Sequence, residues 1–315
     1  MKNRIISLIL AFSFLTNIIT TSDVSTMLNV GVSANQPGFS ESIEQKDHPL
    51  PGYIGIYTAA DLNKMRTNTN INEKYILMAD ISVGDWTPLN IDITPPLLNG
   101  QILPTIAEFD GNGYTISGLT VNSNNDCVGL FGIINTPNIT DAVVIKNLGL
   151  VNVNIIGNER VGAIAGWIAS GVIIDNCFVS GTVTAKGKYG GGLIGAYQDS
   201  ADYYTAVKNC ANYTTVSGKI AGGIVGQTEA DSTVEALHNY GDVTASDSAG
   251  GIVGESGGLI KTSHNYGDIT AVDNAGGIAG IIKDDEIIGC FNSGGINASD
   301  GKAGGIAGYG GGYSG

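Results

Sequence analysis

Hydrophobic and polar residues follow each other in short runs along this chain, and the runs return at a nearly constant spacing. Residues 114–121 alternate in the manner of a half-exposed β-strand. After them, a marker in which a large aliphatic residue stands two positions before a glycine occurs seven times. Its final glycines are 26 to 34 residues apart and are Gly132, Gly166, Gly195, Gly226, Gly254, Gly280 and Gly308. The distance between markers varies, while the spacing of residues within each marker stays constant. This pattern predicts stacked coils with loops of variable length.

A second marker lies between successive glycine markers and keeps its own spacing. In five repeats a small or apolar residue stands six positions before a β-branched one, and these pairs begin at Cys177, Cys210, Leu237, Ser263 and Cys290. Each repeat therefore offers about three short strands separated by glycine or polar turns. One coil of this size cannot bury an apolar face, whereas stacked coils share a continuous core.

The aliphatic residue of each glycine marker is predicted to face that core. These residues are Leu130, Ile164, Leu193, Ile224, Ile252, Ile278 and Ile306. No segment has the apolar period of an amphipathic helix bundle. The sequence therefore predicts an all-β fold: a parallel β-solenoid of about seven coils spaced about 4.8 Å apart, with a small N-terminal region of helix and strand.

The repeated pattern also resembles a known family. Gly-Gly-Ile/Leu-x-Gly alternates with Cys/His-x-Asn-x-Gly-x-Val/Ile, and this alternation is similar to the GLUG motif of bacterial cell-surface and secreted proteins. The resemblance covers about residues 114–308, and residues 56–121 are similar to the segment that opens such arrays. It implies a right-handed parallel β-helix serving as a stalk or adhesive region, in some members beside a peptidase domain. The motif brings no catalytic residues with it.

The chain divides into four predicted segments. Residues 1–34 are predicted to be a cleaved signal peptide, with basic Lys2 and Arg4 before an apolar stretch that is too short for a membrane span. Residues 35–52 are predicted to be a flexible lead-in, and residues 53–121 a capping region with a short helix from an N-cap at Thr58 to about Arg66. Residues 122–315 hold the repeats, and the last coil is expected to be incomplete. The mature chain is thus predicted to be secreted or attached to the cell surface.

Composition narrows the possible partners. The chain has 29 acidic against 15 basic residues, a net charge of −14, which disfavours nucleic acid and anionic membranes. Asp242 and Asp268 align on neighbouring coils and could attract Ca²⁺, but two carboxylates are few for an ion that takes about six to eight oxygens. His238 and His264 also align without the further ligands of a zinc site. The sequence therefore predicts no metal site and no required cofactor.

Two features of the repeats are candidates for ligand binding. Four asparagines occupy one repeat position and are predicted to face inward, so the tyrosines that follow three of them, Tyr213, Tyr240 and Tyr266, face outward. Such a row could bind sugars or a protein surface, or could only stiffen the sheet. The loop of residues 196–208 holds the other candidates, which are Tyr197, Asp199, Asp202, Tyr203 and Tyr204. Binding residues concentrate on loops, but ordinary loop variation explains this one equally well.

The sequence therefore predicts a non-catalytic adhesive or spacer solenoid, with a glycan or a host or cell-surface protein as the partner. Two alternatives stay open: a polysaccharide-active β-helix enzyme, and the repeat region of a larger surface peptidase. Asp199 and Asp202 have carboxylates suited to glycoside hydrolysis, but no positioned partner can be identified for them. No catalytic residue is assigned.

Overall fold

The computed structural model describes residues 48–68, 73–92, 106–135, 142–169, 171–198, 205–230, 232–283 and 286–311. Contacts divide the chain into two units, Met1–Gln45 and Lys46–Gly315, and every described residue lies in the second unit. The predicted signal peptide and residues 35–47 of the lead-in lie outside the described residues. No helix in the described segments has the length and hydropathy needed to cross a bilayer.

The described residues form three parallel sheets, which the chain visits in the order A, B, C in each full coil. Sheet A has nine strands in the described segments: β1 (Tyr53–Ile56), β2 (Glu73–Leu77), β5 (Ile106–Asp110), β10 (Val143–Lys146), β14 (Val172–Asp175), β18 (Ala206–Lys208), β21 (Thr233–Glu235), β25 (Leu259–Lys261) and β30 (Ile287–Ile288). Sheet C has eight there: β4 (Leu89–Asp92), β9 (Phe131–Asn135), β13 (Ala165–Ile168), β17 (Ile194–Tyr197), β20 (Val225–Thr228), β24 (Val253–Ser256), β29 (Ala279–Ile282) and β34 (Ala307–Gly310).

Sheet B takes the part of each coil between sheets A and C, and a coil often contributes two or three strands to it. Its seventeen described strands are β3 (Ile81–Ser82), β6 (Thr115–Ser117), β7 (Thr120–Asn122), β8 (Cys127–Val128), β11 (Gly149–Gly157), β12 (Arg160–Gly162), β15 (Phe178–Ala185), β16 (Tyr189–Gly191), β19 (Ala211–Gly222), β22 (His238–Asn239), β23 (Val243–Gly250), β26 (His264–Asn265), β27 (Ile269–Ala271), β28 (Asn274–Gly276), β31 (Phe291–Asn292), β32 (Ile296–Ala298) and β33 (Lys302–Gly304). With about seven turns of parallel strands, the structure confirms the predicted β-solenoid.

The register between coils pairs the residues that the sequence repeat aligns. Val183, Val216, Val243, Ile269 and Ile296 are successive Cα partners in sheet B. The aliphatic residues of the glycine markers face the core as predicted, and six of them are 0 % exposed. Ile306, in the last described coil, is 40 % exposed because no further described coil covers it.

A column of amides runs through the interior beside this core. Asn212 donates from Nδ2 to Oδ1 of Asn239 at 2.8 Å, Asn239 donates to Asn265 at 2.7 Å, and Asn265 donates to Asn292 at 2.7 Å. Each amide also donates to the backbone carbonyl two residues further on, so its two N–H groups are both satisfied in the first three coils. A Cβ at Gly223 would overlap Cγ of Asn239, which explains a glycine at that marker position.

The N-terminal region contains the predicted helix. Helix α1 spans Ala59–Lys64 and continues as a 3₁₀ turn, Met65–Thr67. The hydroxyl of Thr58 accepts a hydrogen bond from the backbone N–H of Asp61 at 3.2 Å, as an N-cap does. Leu62 and Met65 are buried in the same core cluster as the solenoid strands, so the helix is part of the folded unit.

Six successive corners between sheets A and B each hold one residue in the left-handed backbone region. In successive coils this residue is Asn147, Asn176, Asn209, Ala236, Thr262 and Gly289, with φ between 43° and 65°. Asparagine and glycine adopt this conformation readily, whereas a β-branched residue does so only under strain. Thr262, at φ 43°, is therefore the most strained of the six corners.

This strain predicts that Thr262→Asn stabilises the protein. The left-handed conformation costs an ordinary residue roughly 1–2 kcal/mol, so we expect the free energy of unfolding to rise by about 1 kcal/mol in urea titrations. Thr270→Asn is the matched control, since Thr270 is exposed on strand β27 and has no positive φ. A gain of equal size in the control variant would contradict this interpretation of the corner.

Candidate functional site

Three tyrosines form one row on the outer surface of sheet B. Tyr213, Tyr240 and Tyr266 each follow a buried asparagine, and because side chains alternate along a strand their rings point outward. Backbone hydrogen bonds of 2.8 Å from the N–H groups of Tyr240 and Tyr266 to the preceding coil hold the rings in register. Successive ring centroids are 4.8 Å apart, with interplanar angles of 3° and 4°. The predicted single row of tyrosines is confirmed.

The rings in this row are nearly parallel and stack on one another. All three side chains are half-buried. A ligand that approaches from outside would therefore meet a row of ring edges rather than one open ring.

A second column of rings lies beside the tyrosines and enlarges the surface. His238, His264 and Phe291 are partners in successive coils, two positions before the tyrosine column. The His238 ring centroid is 6.3 Å from that of Tyr240 and 6.5 Å from that of Tyr266. The centroids of His264 and Phe291 are 6.1 Å apart, and Phe291 is 51 % exposed. We call these six residues the aromatic face: Tyr213, Tyr240, Tyr266, His238, His264 and Phe291.

Burial keeps several groups of the aromatic face in their neutral forms. It raises the pKa of Tyr213 to about 12 and also raises the pKa of Tyr266. The pKa of Tyr240 is raised by burial and by its two tyrosine neighbours. The pKa of His238 is lowered, first by burial and then by repulsion from His264. Near neutral pH these four rings therefore present an uncharged surface.

The two aligned aspartates beside this face have structural partners. Oδ1 of Asp242 accepts a hydrogen bond from the backbone N–H of Asp268 at 2.9 Å, and Oδ1 of Asp268 accepts one from Gly295 at 2.9 Å. Each carboxylate thus accepts a hydrogen bond from a backbone N–H of the following coil. This role explains why aspartate recurs at this position without a bound cation. Across the described segments, no group of three or more His, Cys, Asp and Glu side chains could hold a metal ion.

The structure corrects the predicted placement of Tyr197 on the exposed loop. Strand β17 continues through Tyr197, which pairs with Ile168 and Thr228 on the neighbouring coils and is 0 % exposed. Its hydroxyl donates to the backbone carbonyl of Thr205 at 2.6 Å. Tyr197 is therefore a core residue and cannot contact a surface ligand in this conformation. The other loop candidates, Asp199, Asp202, Tyr203 and Tyr204, lie outside the described residues.

The cysteines are free thiols that belong to the packing. Cys177 and Cys210 are buried neighbours on adjacent coils, and the Cys210 sulfur accepts a hydrogen bond from the Cys177 backbone N–H at 3.4 Å. Burial raises the pKa of the Cys210 thiol well above its usual value, which disfavours the reactive thiolate.

Comparisons with known proteins agree with a repeat solenoid. No protein-family model matches the chain. A stretch of 156 residues, 47 % of the chain, is 36 % identical to halomucin of Haloquadratum walsbyi, but the chain spans only 2 % of the length of that protein. The crystal structure of a putative immunoglobulin A1 protease from Bacteroides ovatus superposes with a TM-score of 0.63 at 22 % identity, covering 79 % of this chain and 83 % of the other. At that identity the structural likeness establishes the fold alone.

The raised tyrosine pKa values predict a loss of stability at alkaline pH. The folded-state pKa of Tyr213, about 12, lies above its ordinary value of 10.0, so its stabilising contribution is complete below pH 10 and is lost as pH rises toward 12. We expect the free energy of unfolding to fall over this interval in denaturant titrations, while phenolate absorbance reports the ionisation. In a variant carrying Tyr213→Phe, Tyr240→Phe and Tyr266→Phe the fall should be smaller. Equal alkaline losses in both proteins would rule out the tyrosine row as their source.

Proposed function

We propose that this chain is the non-catalytic solenoid of a secreted or cell-surface GLUG-type protein, and that its aromatic face binds an extended glycan chain. The observation that carries the proposal is the stacked row of Tyr213, Tyr240 and Tyr266, with ring centroids every 4.8 Å along the coil axis. Equivalent side chains on parallel coils make a linear surface, and a linear surface fits a chain-like ligand better than a single small molecule.

The chemistry of the face suits an uncharged sugar chain. Tyrosine rings offer apolar surface to the C–H groups of a pyranose, and their hydroxyls can exchange hydrogen bonds with sugar hydroxyls. The shifted pKa values of Tyr213, Tyr240 and His238 favour the neutral forms of these rings, so the rings themselves carry no charge that would attract a strongly charged ligand. Each aromatic contact is worth about 0.5–1.5 kcal/mol, which supports weak binding that gains strength from many copies on one surface.

Two described carboxylates, Glu108 and Asp61, serve the structure of the chain. A glycosidase needs one carboxylic acid whose pKa is raised. Burial of Glu108 acts in that direction, but hydrogen bonds from Lys146 and Tyr53 outweigh it, and the pKa of Glu108 is lowered. Hydrogen bonds from Lys64 and Thr58 lower the pKa of Asp61. These two carboxylates are thus held as anions for structural ion pairs.

The similar proteins support a place in a larger surface molecule. Halomucin is by its name a mucin, a class of extracellular protein, and this chain matches a small part of it. The Bacteroides ovatus protein shares the solenoid, and its description as a putative protease agrees with solenoids that accompany other activities. Under this proposal the solenoid displays its aromatic face outside the cell.

Binding is tested by removing the tyrosine row. A variant with Tyr213→Ala, Tyr240→Ala and Tyr266→Ala should lose retention on immobilised neutral polysaccharides, at least about tenfold in apparent affinity if each ring contributes as a typical aromatic contact. The matched control changes three exposed threonines on the same three coils, Thr215→Ala, Thr244→Ala and Thr270→Ala. Circular dichroism must show the same β-spectrum for all three proteins.

The outcomes separate the possible partners. Loss of retention in the tyrosine variant alone supports glycan binding by the aromatic face. Retention of both variants at the level of the parent would show that the row serves only to pack the sheet. If the parent itself is not retained on any polysaccharide but binds a purified surface protein through the tyrosines, the glycan assignment fails and a protein partner replaces it.

A further inference from the structure

The outer surface of sheet A carries a ladder of alternating charge. The inter-coil register places six charged residues in one column, each beside the next, and their signs alternate at every step. We call this column the charge ladder: Asp110, Lys146, Asp175, Lys208, Glu235 and Lys261. It lies on a different sheet from the aromatic face, so the two surfaces can be tested separately.

Part of this alternation serves the chain itself. Nζ of Lys146 lies 3.5 Å from Oδ2 of Asp110, and Nζ of Lys208 lies 3.6 Å from Oδ2 of Asp175. Opposite charges on neighbouring strands stabilise a sheet, and like charges destabilise it. Lys146 also pairs with Glu108, at 2.5 Å, so its charge is largely engaged within the chain. The side chains of Asp175 and Lys208 remain 30 % and 36 % exposed, so each can accept a further partner from outside.

From strand β10 to strand β25 a largely apolar column runs parallel to the charge ladder, two residues earlier on each strand, whereas on β5 the same position is Glu108. The two columns lie on the same outward face because side chains alternate along a strand. Val144, Ile173, Thr233 and Leu259 are partly exposed there, while Ala206, which completes the column, is buried. Sheet A thus presents one apolar stripe and one charged stripe, side by side along the coil axis.

The charge ladder is complementary to its own reversed copy. Read backwards, the six alternating charges place Asp175 opposite Lys208, Lys146 opposite Glu235, and Asp110 opposite Lys261. The last of these pairs adds little, because Asp110 is only 8 % exposed. We propose that the outer face of sheet A binds a second copy of this chain, with the two coil axes antiparallel and a two-fold axis between Asp175 and Lys208. In this arrangement Ile173 and Val144 also meet Ala206 and Thr233 in the other copy, whereas Leu259 meets Glu108. In the parallel two-fold arrangement, each charged stripe would instead lie against an apolar one.

The size of the face determines the strength of the contact. Six strands spaced about 4.8 Å apart and about four residues wide give a face on the order of 400 Å² for each copy. The total, roughly 800 Å², is below the roughly 1,200 Å² of stable complexes. The pair is therefore weak and dependent on concentration, and it becomes effective where many copies are held close together.

Two charge reversals test the pairing, first alone and then mixed. Lys208→Glu places two acids opposite each other in a self-pair, and Asp175→Lys places two lysines opposite each other. Each variant alone should self-associate at least about tenfold more weakly than the parent in sedimentation experiments with the full chain. In an equimolar mixture, Asp175 of the first variant meets Lys208 of the second, and the two new side chains also carry opposite charges. The mixture should therefore recover the association of the parent protein.

The alternatives are distinguishable in the same measurements. Recovery in the mixture requires antiparallel contact at these positions, because effects on folding cannot be complemented by a second folded chain. A second pair, Lys146→Glu with Glu235→Lys, repeats the test if either first variant fails to give the parent circular dichroism spectrum. A parent that stays monomeric at high protein concentration, reversals without effect, or a mixture that does not recover association would each overturn the proposal. The glycan-binding proposal is unaffected by any of these results.

Discussion

Parallel, in-register hydrogen bonding between successive coils is the constraint on which the rest of this structure depends. Backbone N–H and C=O groups that have no partner within their own coil form hydrogen bonds with the next coil. Every coil must therefore follow the path of its neighbour. One repeat position therefore becomes one column of side chains about 4.8 Å apart. The inward column of Asn212, Asn239, Asn265 and Asn292 reinforces this register, because each amide hydrogen-bonds both to its own turn and to the next coil.

The same register creates the outward surfaces to which we assign functions. Tyr240 is adjacent in sequence to the buried Asn239, and strand alternation alone sends one side chain into the core and the other to the surface. Because the coils repeat, tyrosines at one repeat position form a row. In the same way, charged residues at one position of sheet A form the charge ladder. Neither surface needs a pocket, because both present a linear pattern to a linear partner.

Much of the fold could be predicted because the sequence repeats. Each structural position is therefore occupied by several residues whose types can be compared. The inward aliphatic column and the outward tyrosine row followed directly from the aligned markers. The burial of Tyr197 could not be seen in this way, since the length of strand β17 beyond Gly195 depends on contacts with Ile168, Thr228 and the carbonyl of Thr205. The charge ladder was missed because the short strands of sheet A carry no glycine marker, and only the three-dimensional register aligns Asp175 with Lys208. Phe291 joins the aromatic face for a similar reason, as it occupies the position held by histidine in the two preceding coils.

Nuclear magnetic resonance with a soluble neutral oligosaccharide tests the central claim most directly, since it observes the binding surface in the unmodified protein. The ring resonances of Tyr213, Tyr240 and Tyr266 should shift together and saturably as the sugar is added. Resonances of the charge ladder on sheet A should stay in place. Shifts confined to any other surface, or no shifts at sugar concentrations where the protein is retained on the polymer, would contradict the assignment of the aromatic face as the ligand-binding site.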